Sequence, residues 1–142
     1  MPIALRSTLL EFTDPQDSNQ MKALEDCLAK AFLAGGLNQE DKAAMLEVFE
    51  RFPDDDENVF WSILHGLEHV DNYEMELVLS IRRRPSRFST LMLNRMLNGG
   101  IKFAAGVSID GLLSEVLSHP AATDGVVRLV QGFIGRREAQ RQ

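Results

Sequence analysis

Cysteine is almost missing from this sequence. Cys27 is the only one, which excludes an internal disulfide and a cysteine-based zinc site. No apolar run approaches the roughly 20 residues that a membrane-spanning helix needs. The opening Met-Pro-Ile-Ala-Leu-Arg-Ser has neither the basic flank nor the continuous apolar core of a secretory signal, so a cytoplasmic location is expected. No alternating strand pattern survives anywhere. Gly35-Gly36, Gly99-Gly100 and Gly106 follow helical patterns rather than opening the strand–helix turn that cradles phosphate. The scattered serines match no orienting His and Asp for nucleophilic catalysis.

What is present is an ordinary globular composition, 44% hydrophobic and 25% charged over 142 residues. That length suits one domain, residues 1–142, with a core that needs no staples. Charge is unevenly spread. Residues 1–80 carry 17 acidic against 5 basic side chains, and residues 81–142 carry 4 against 10, which together give the net −6. The acidic half disfavours nucleic acid, which needs a basic footprint. It suits either a solvated surface or a basic protein partner.

Taken in order, residues 1–15 show no sustained period and end in the turn signal Thr13-Asp-Pro15, so an irregular N-terminus is expected. Met21, Leu24, Leu28, Ala31 and Phe32 then mark an amphipathic helix closed by Gly35-Gly36. Asn38 is a natural N-cap for the next helix, with Asp41 three residues on; that helix ends at Pro53. Further helices follow over residues 57–69, 73–84, 85–98, 108–119 and 123–135, and residues 136–142 read as a polar tail. Seven short helices joined by tight turns predict an all-α fold of antiparallel pairs in two layers, a HEAT- or armadillo-like array without a clear sequence repeat.

The stretch from Asp54 to Asn98 organises the rest. Asp54-Asp-Asp-Glu57 precedes the most apolar helical run, and one of these aspartates is expected to cap it while the others sit at its positive end. On a helical wheel Phe60, Ile63, Leu64 and Leu67 share the core face. Trp61, His65 and Glu68 form a second stripe at its edge, and His69 lies opposite. Arg82-Arg-Arg84 closes the following helix, and Pro85 is expected in the first turn of the next. Arg95 falls among Leu91, Phe88 and Met92, where a charge needs a partner.

His65-Gly-Leu-Glu-His69 formally matches the inverted zinc-protease motif H-x-x-E-H. Such a site also wants a ligand from a downstream acidic helix, and residues 81–142 hold only Asp110, Glu115, Asp124 and Glu138. No metal, cofactor or catalysis is therefore expected, with a zinc hydrolase the least favoured reading. Arg82, Arg83, Arg84 and Arg87 make the only basic patch, with Phe88 the sole nearby aromatic, a thin basis for nucleic-acid binding.

The run Asn58-Val-Phe-Trp-Ser-Ile-Leu-His-Gly-Leu-Glu68, then Tyr73, Pro85 and Leu93-Asn-Arg-Met-Leu-Asn98, resembles a family of small α-helical immunity proteins of bacterial polymorphic-toxin systems. In that family a Trp-Ser-x-x-His-x-x-Glu helix is followed by a tyrosine, a proline and an Arg-x-Leu-Asn helix. Trp61, Ser62, His65, Glu68, Tyr73, Pro85, Arg95, Leu97 and Asn98 match, about a third of the chain being covered. Pro85-Ser-Arg-Phe-Ser89 departs from the Pro-Trp-Ala-like stretch of the family. The resemblance implies a cytoplasmic, non-catalytic protein that binds one cognate toxin and blocks its active site. Most matched residues are read as structural: Trp61 as a core anchor, and Glu68 as the partner of Arg95. Binding then falls to Asp54, Asp55, Asp56, Glu57, Asp71, Glu74 and His69, an acidic surface suited to a toxin with a basic cleft. The competing reading is a helical scaffold or adaptor that presents a groove to another partner.

Overall fold

A computed structural model describes residues 2–141. Among them eight helices run in the order α1 (Pro2–Glu11), α2 (Ser18–Ala34), α3 (Gln39–Arg51), α4 (Asn58–His69), α5 (Glu74–Arg83), α6 (Arg87–Asn98), α7 (Ile109–Leu117) and α8 (Asp124–Gln140). One small antiparallel hairpin, β1 (Phe103–Ala104) with β2 (Val107–Ser108), separates α6 from α7. The fold is all-α and packed in layers, as the periodicities predict. Helix α3 packs on α1, α4, α5 and α6, and α6 packs on α3, α4, α5, α7 and α8. These two helices tie the N-terminal half to the C-terminal half.

The centre of the core is aromatic. Phe60 is fully buried and its ring lies 5.7–6.3 Å from those of Phe12, Phe49, Phe52 and Phe88. Edge-on and tilted contacts of this kind suit the ring quadrupoles. Three helices and two loop residues therefore meet at one side chain.

Three expectations about element bounds need correction. The N-terminus is not irregular: Leu5, Leu9 and Phe12 are buried on one face of α1 and its end. Their stripe is blurred in sequence by Leu10, which is exposed. Long-range polar contacts hold this short helix. Arg6 donates to the buried Asp41 carboxylate at 3.0 Å, and Arg51 donates to the Leu9 and Phe12 carbonyls at 2.7 Å each. The last pair satisfies carbonyls that a helix end leaves open.

The polar tail is also helical to Gln140, with Gln142 outside the described residues. Half-buried Arg137 fastens it by donating to the side chains of Asn94 and Asn98. Pro85 does not stand in the first turn of α6. Ser86 is the N-cap, locked in a reciprocal capping box with Ser89, and Pro85 precedes it. That placement is stable because Ser86 must be extended and supply the cap.

The hairpin was invisible to alternation because each strand has two residues. Its turn, Ala105-Gly106, has φ of 49° and 79°, the doubly left-handed geometry of a two-residue hairpin loop. Asn-Gly or Asp-Gly would have announced it; Ala-Gly does not. His119 links distant elements in the same half of the molecule. Its Nδ1 accepts from the Ala121 N–H at 3.0 Å, so Nε2 carries the proton it donates to the Arg82 carbonyl at 2.7 Å.

Candidate functional site

Helix α4 carries the motif residues, and its neighbours complete them. Arg95 on α6 grips Glu68 with two bonds, Nε to Oε2 at 2.8 Å and Nη2 to Oε1 at 2.9 Å. The expected α4–α6 bridge is present in bidentate form, the strong arrangement for these two groups. His65 stands beside it, with Nδ1 4.0 Å from Glu68 Oε1, and stacks on Trp61 at 5.8 Å. Buried Tyr73 completes the group: burial pushes its phenol pKa up, the nearby Glu74 and Glu68 add to this, and Arg95 opposes them. Trp61, His65, Glu68 and Arg95 are thus neighbours, with Tyr73 within electrostatic reach of Glu68 and Arg95. Pro85 sits at the α5–α6 junction instead, and Asn98 accepts from Arg137 at 3.2 Å toward α8.

The environment of this group differs from the sequence expectation in depth. Trp61 is half-buried, not a core anchor, and lies edge-on over Phe88 at 5.0 Å. The Glu68 and Arg95 side chains retain 21% and 41% of their exposure, so either ion can be rehydrated when its partner is lost. Removing one of them is therefore not expected to destabilise the protein strongly. A double-mutant cycle of Glu68→Ala with Arg95→Ala is expected to give a coupling of about 0.5–1 kcal/mol, above a typical exposed pair only through its bidentate geometry. Urea denaturation of the four proteins checks this, and a coupling of several kcal/mol would mean that the pair is effectively dry.

The acidic residues divide into two groups. Asp54 to Glu57 precede α4, whereas His69, Asp71 and Glu74 lie at or beyond its other end, a separation of roughly 18 Å for 12 helical residues. They sit at opposite ends of α4. None of the first group caps α4 with its side chain: Glu57 holds the N-cap position, and its carboxylate accepts from Gln16 Nε2 at 3.3 Å instead. Asp54 serves α8 instead, accepting from the Thr123 hydroxyl at 2.7 Å. A Cβ at Gly125 would stand 2.8 Å from the same carboxylate, so glycine there makes room for it. Local sequence could not reveal a partner 69 residues away.

Asp55 accepts no hydrogen bond among the described residues. Burial raises its pKa, with repulsion from Glu57, Asp56 and Asp54 adding to the rise. A carboxyl whose folded pKa lies above its unfolded value favours folding at low pH and loses that contribution as pH rises through the folded pKa. Asp55→Asn is therefore expected to stabilise the protein at neutral pH and to make no difference once Asp55 is protonated. Thermal melts of both proteins across the acid range test the sign. Equal differences at all pH values would show that the charge is not the cause.

The H-x-x-E-H reading meets two obstacles in the geometry. Glu68 is engaged by Arg95, and His69 Nδ1 lies 2.9 Å from the His65 carbonyl. Among the described residues no three His, Cys, Asp or Glu side chains converge as a metal site. Nor is the arginine run a free basic patch throughout. Arg83 is bonded to Glu50 at 2.9 Å and Arg82 lies 3.7 Å from Glu115. No described helix is long and apolar enough to cross a membrane.

Sequence reasoning missed the second grouping that can bind something. Met75 on α5, Ile101, and Phe103 on the hairpin are exposed around a groove of about 450 Å³ that Glu74 and Glu76 also line. Neither the exposure of Met75 nor the hairpin that brings Phe103 beside it was legible in the sequence. Compared with protein-family models, curated proteins and solved structures, the chain gives no significant match.

Proposed function

We propose that this chain is an immunity protein, a non-catalytic helical binder that neutralises one cognate bacterial toxin in the cytoplasm of the cell that makes it. The observation that carries the reading is the gathering of Trp61, His65 and Glu68 on α4 with Arg95 on α6, beside Tyr73 at the start of α5. These residues resemble a family motif in sequence order; Trp61, His65 and Glu68 share one edge of α4 by helical spacing, and Arg95 is brought to them from 27 residues further on. A bidentate Glu68–Arg95 clamp under a Trp–His stack is a rigid support rather than a reacting centre, since its one carboxylate is already engaged. The flanking acidic side chains then provide attraction for a basic cleft, acting on association rate more than on final affinity.

The test is affinity capture of the tagged full chain from its native cells, followed by expression of whatever remains bound. One near-stoichiometric partner that is toxic alone and harmless with this chain is the expected result. Several weak housekeeping partners, or none, would overturn it and favour a scaffold or adaptor.

A further inference from the structure

Eight phenylalanines occur in the chain, and Phe103 alone is exposed, at 62%. It stands on β1, whose other residue, Ala104, is buried where the hairpin packs on α5. The turn that builds this hairpin holds Ala105 at a φ of 49°, a conformation that costs a residue with a Cβ. Met75 and Ile101 face the same groove at 51% and 48% exposure, with Met96 beneath them. Leu79, one turn beyond Met75, is 41% exposed and extends the strip along α5. Single exposed apolar residues are ordinary, but an apolar cluster bordered by polar groups marks a docking face.

The border is acidic. Glu74 and Glu76 line the groove and Asp71 lies in the turn before α5. None of the three has an ion-pair partner among the described residues. Glu76 lies near Arg83, whose guanidinium is bonded to Glu50. Lys102, between Ile101 and Phe103, does not line the groove. Lys42 donates to the Asp71 backbone carbonyl at 2.6 Å, which leaves Glu74 and Glu76 as the carboxylates beside the exposed apolar side chains, and they complement an apolar group with positive flanks. They disfavour a second copy docked through this same face, which would set the carboxylates against each other across a two-fold axis.

We propose that the groove between α5 and the hairpin is the protein-docking face of this molecule, taking an aromatic or aliphatic side chain flanked by Lys or Arg on the partner. Identifying that partner as the toxin rests on the immunity reading, but the chemistry of the face does not. Phe103 and Met75 are the anchors, and Glu74 and Glu76 set the charge preference.

The experiment uses the isotope-labelled full chain and a synthetic amphipathic leucine–lysine peptide as probe, with the matching leucine–glutamate peptide as control. Saturable binding of the cationic peptide is expected, with NMR shifts concentrated on α5 and residues 101–108. The Met75→Ser/Phe103→Ser variant should bind about tenfold or more weakly, as loss of central anchors does. Both side chains are exposed, so circular dichroism should remain unchanged; Glu74→Lys/Glu76→Lys provides an independent weakening through charge. No binding, equal binding of both peptides, or shifts centred elsewhere would overturn the assignment. So would concentration-dependent self-association abolished by Phe103→Ser, because the occupant would then be a second copy. If the native capture yields a toxin that binds these variants normally, the groove assignment fails and immunity stands. If the peptide results hold and no toxin is captured, immunity fails and the docking face stands.

Discussion

Phe60→Ala is expected to destabilise the protein by about 3–5 kcal/mol, the range for deleting a large buried aromatic. Typical domains are stable by only about 5–15 kcal/mol, so this one change removes a large share of the margin. The argument rests on position. Phe60 has no exposed surface and contacts rings from the end of α1, from α3 and its C-terminal end, and from α6. Those rings belong to different helices, and closing the void requires several helices to shift together. Relaxation will therefore be incomplete, and the cavity term stays. The adjacent Trp61 is the built-in contrast. It is half-buried over Phe88, so Trp61→Ala should cost less despite the larger side chain. Urea unfolding followed by circular dichroism compares the two variants without depending on the lost indole. A larger loss at Trp61 would mean that the true centre of the core lies at the α4–α6 edge.

Much of this arrangement is written in local patterns, and the reason is geometric. Phe60, Ile63, Leu64 and Leu67 repeat at helical spacing because one face of α4 is buried. Asn38 and Asp41 announce a capping box because its two partners are three residues apart. Glu68 and Arg95 were legible as a pair for a different reason: each sits at the edge of an apolar face where a charge needs company. The same edge position explains why the pair is half-exposed, a matter of depth that a helical wheel does not encode.

What escaped the sequence shares one physical cause. Helix α1 is only ten residues long, too short to be stable alone, and its stabilising partners lie 35 to 42 residues away. Asp54 looked like a cap for the helix that follows it and instead meets Thr123. The hairpin depends on a turn formed by Ala105-Gly106, whose first residue gives no sign of left-handed backbone. In each case tertiary contact overrode, or supplied, the local preference. The candidate docking groove inherits this property, since Met75 and Phe103 are brought together only by that hairpin.

Asp41→Ala is expected to cost about 2–4 kcal/mol, combining a lost helix cap with a lost charge-assisted bond. Asp41 is fully buried. One oxygen accepts the Asn38 backbone N–H at 3.0 Å, completing the capping box of α3. The other accepts from Arg6 Nε at 3.0 Å and so anchors α1. Arg6 is 36% exposed and can regain water, which holds the loss below that of a buried orphan charge. Asp41→Asn separates the two roles. Its amide oxygen can still accept at the cap, while the attraction for Arg6 is lost. A cycle combining Asp41→Asn with Arg6→Met should therefore reveal coupling of about 1 kcal/mol. Hydrogen exchange gives the local readout. Amides of α1 should lose protection first, because the helix would then be held by the exposed Arg6–Glu40 pair at 3.0 Å and by Arg51 through the Leu9 and Phe12 carbonyls. Uniform loss of protection across all helices would instead mean that α1 and the core open as one unit, with Phe12 in the aromatic cluster as the cause.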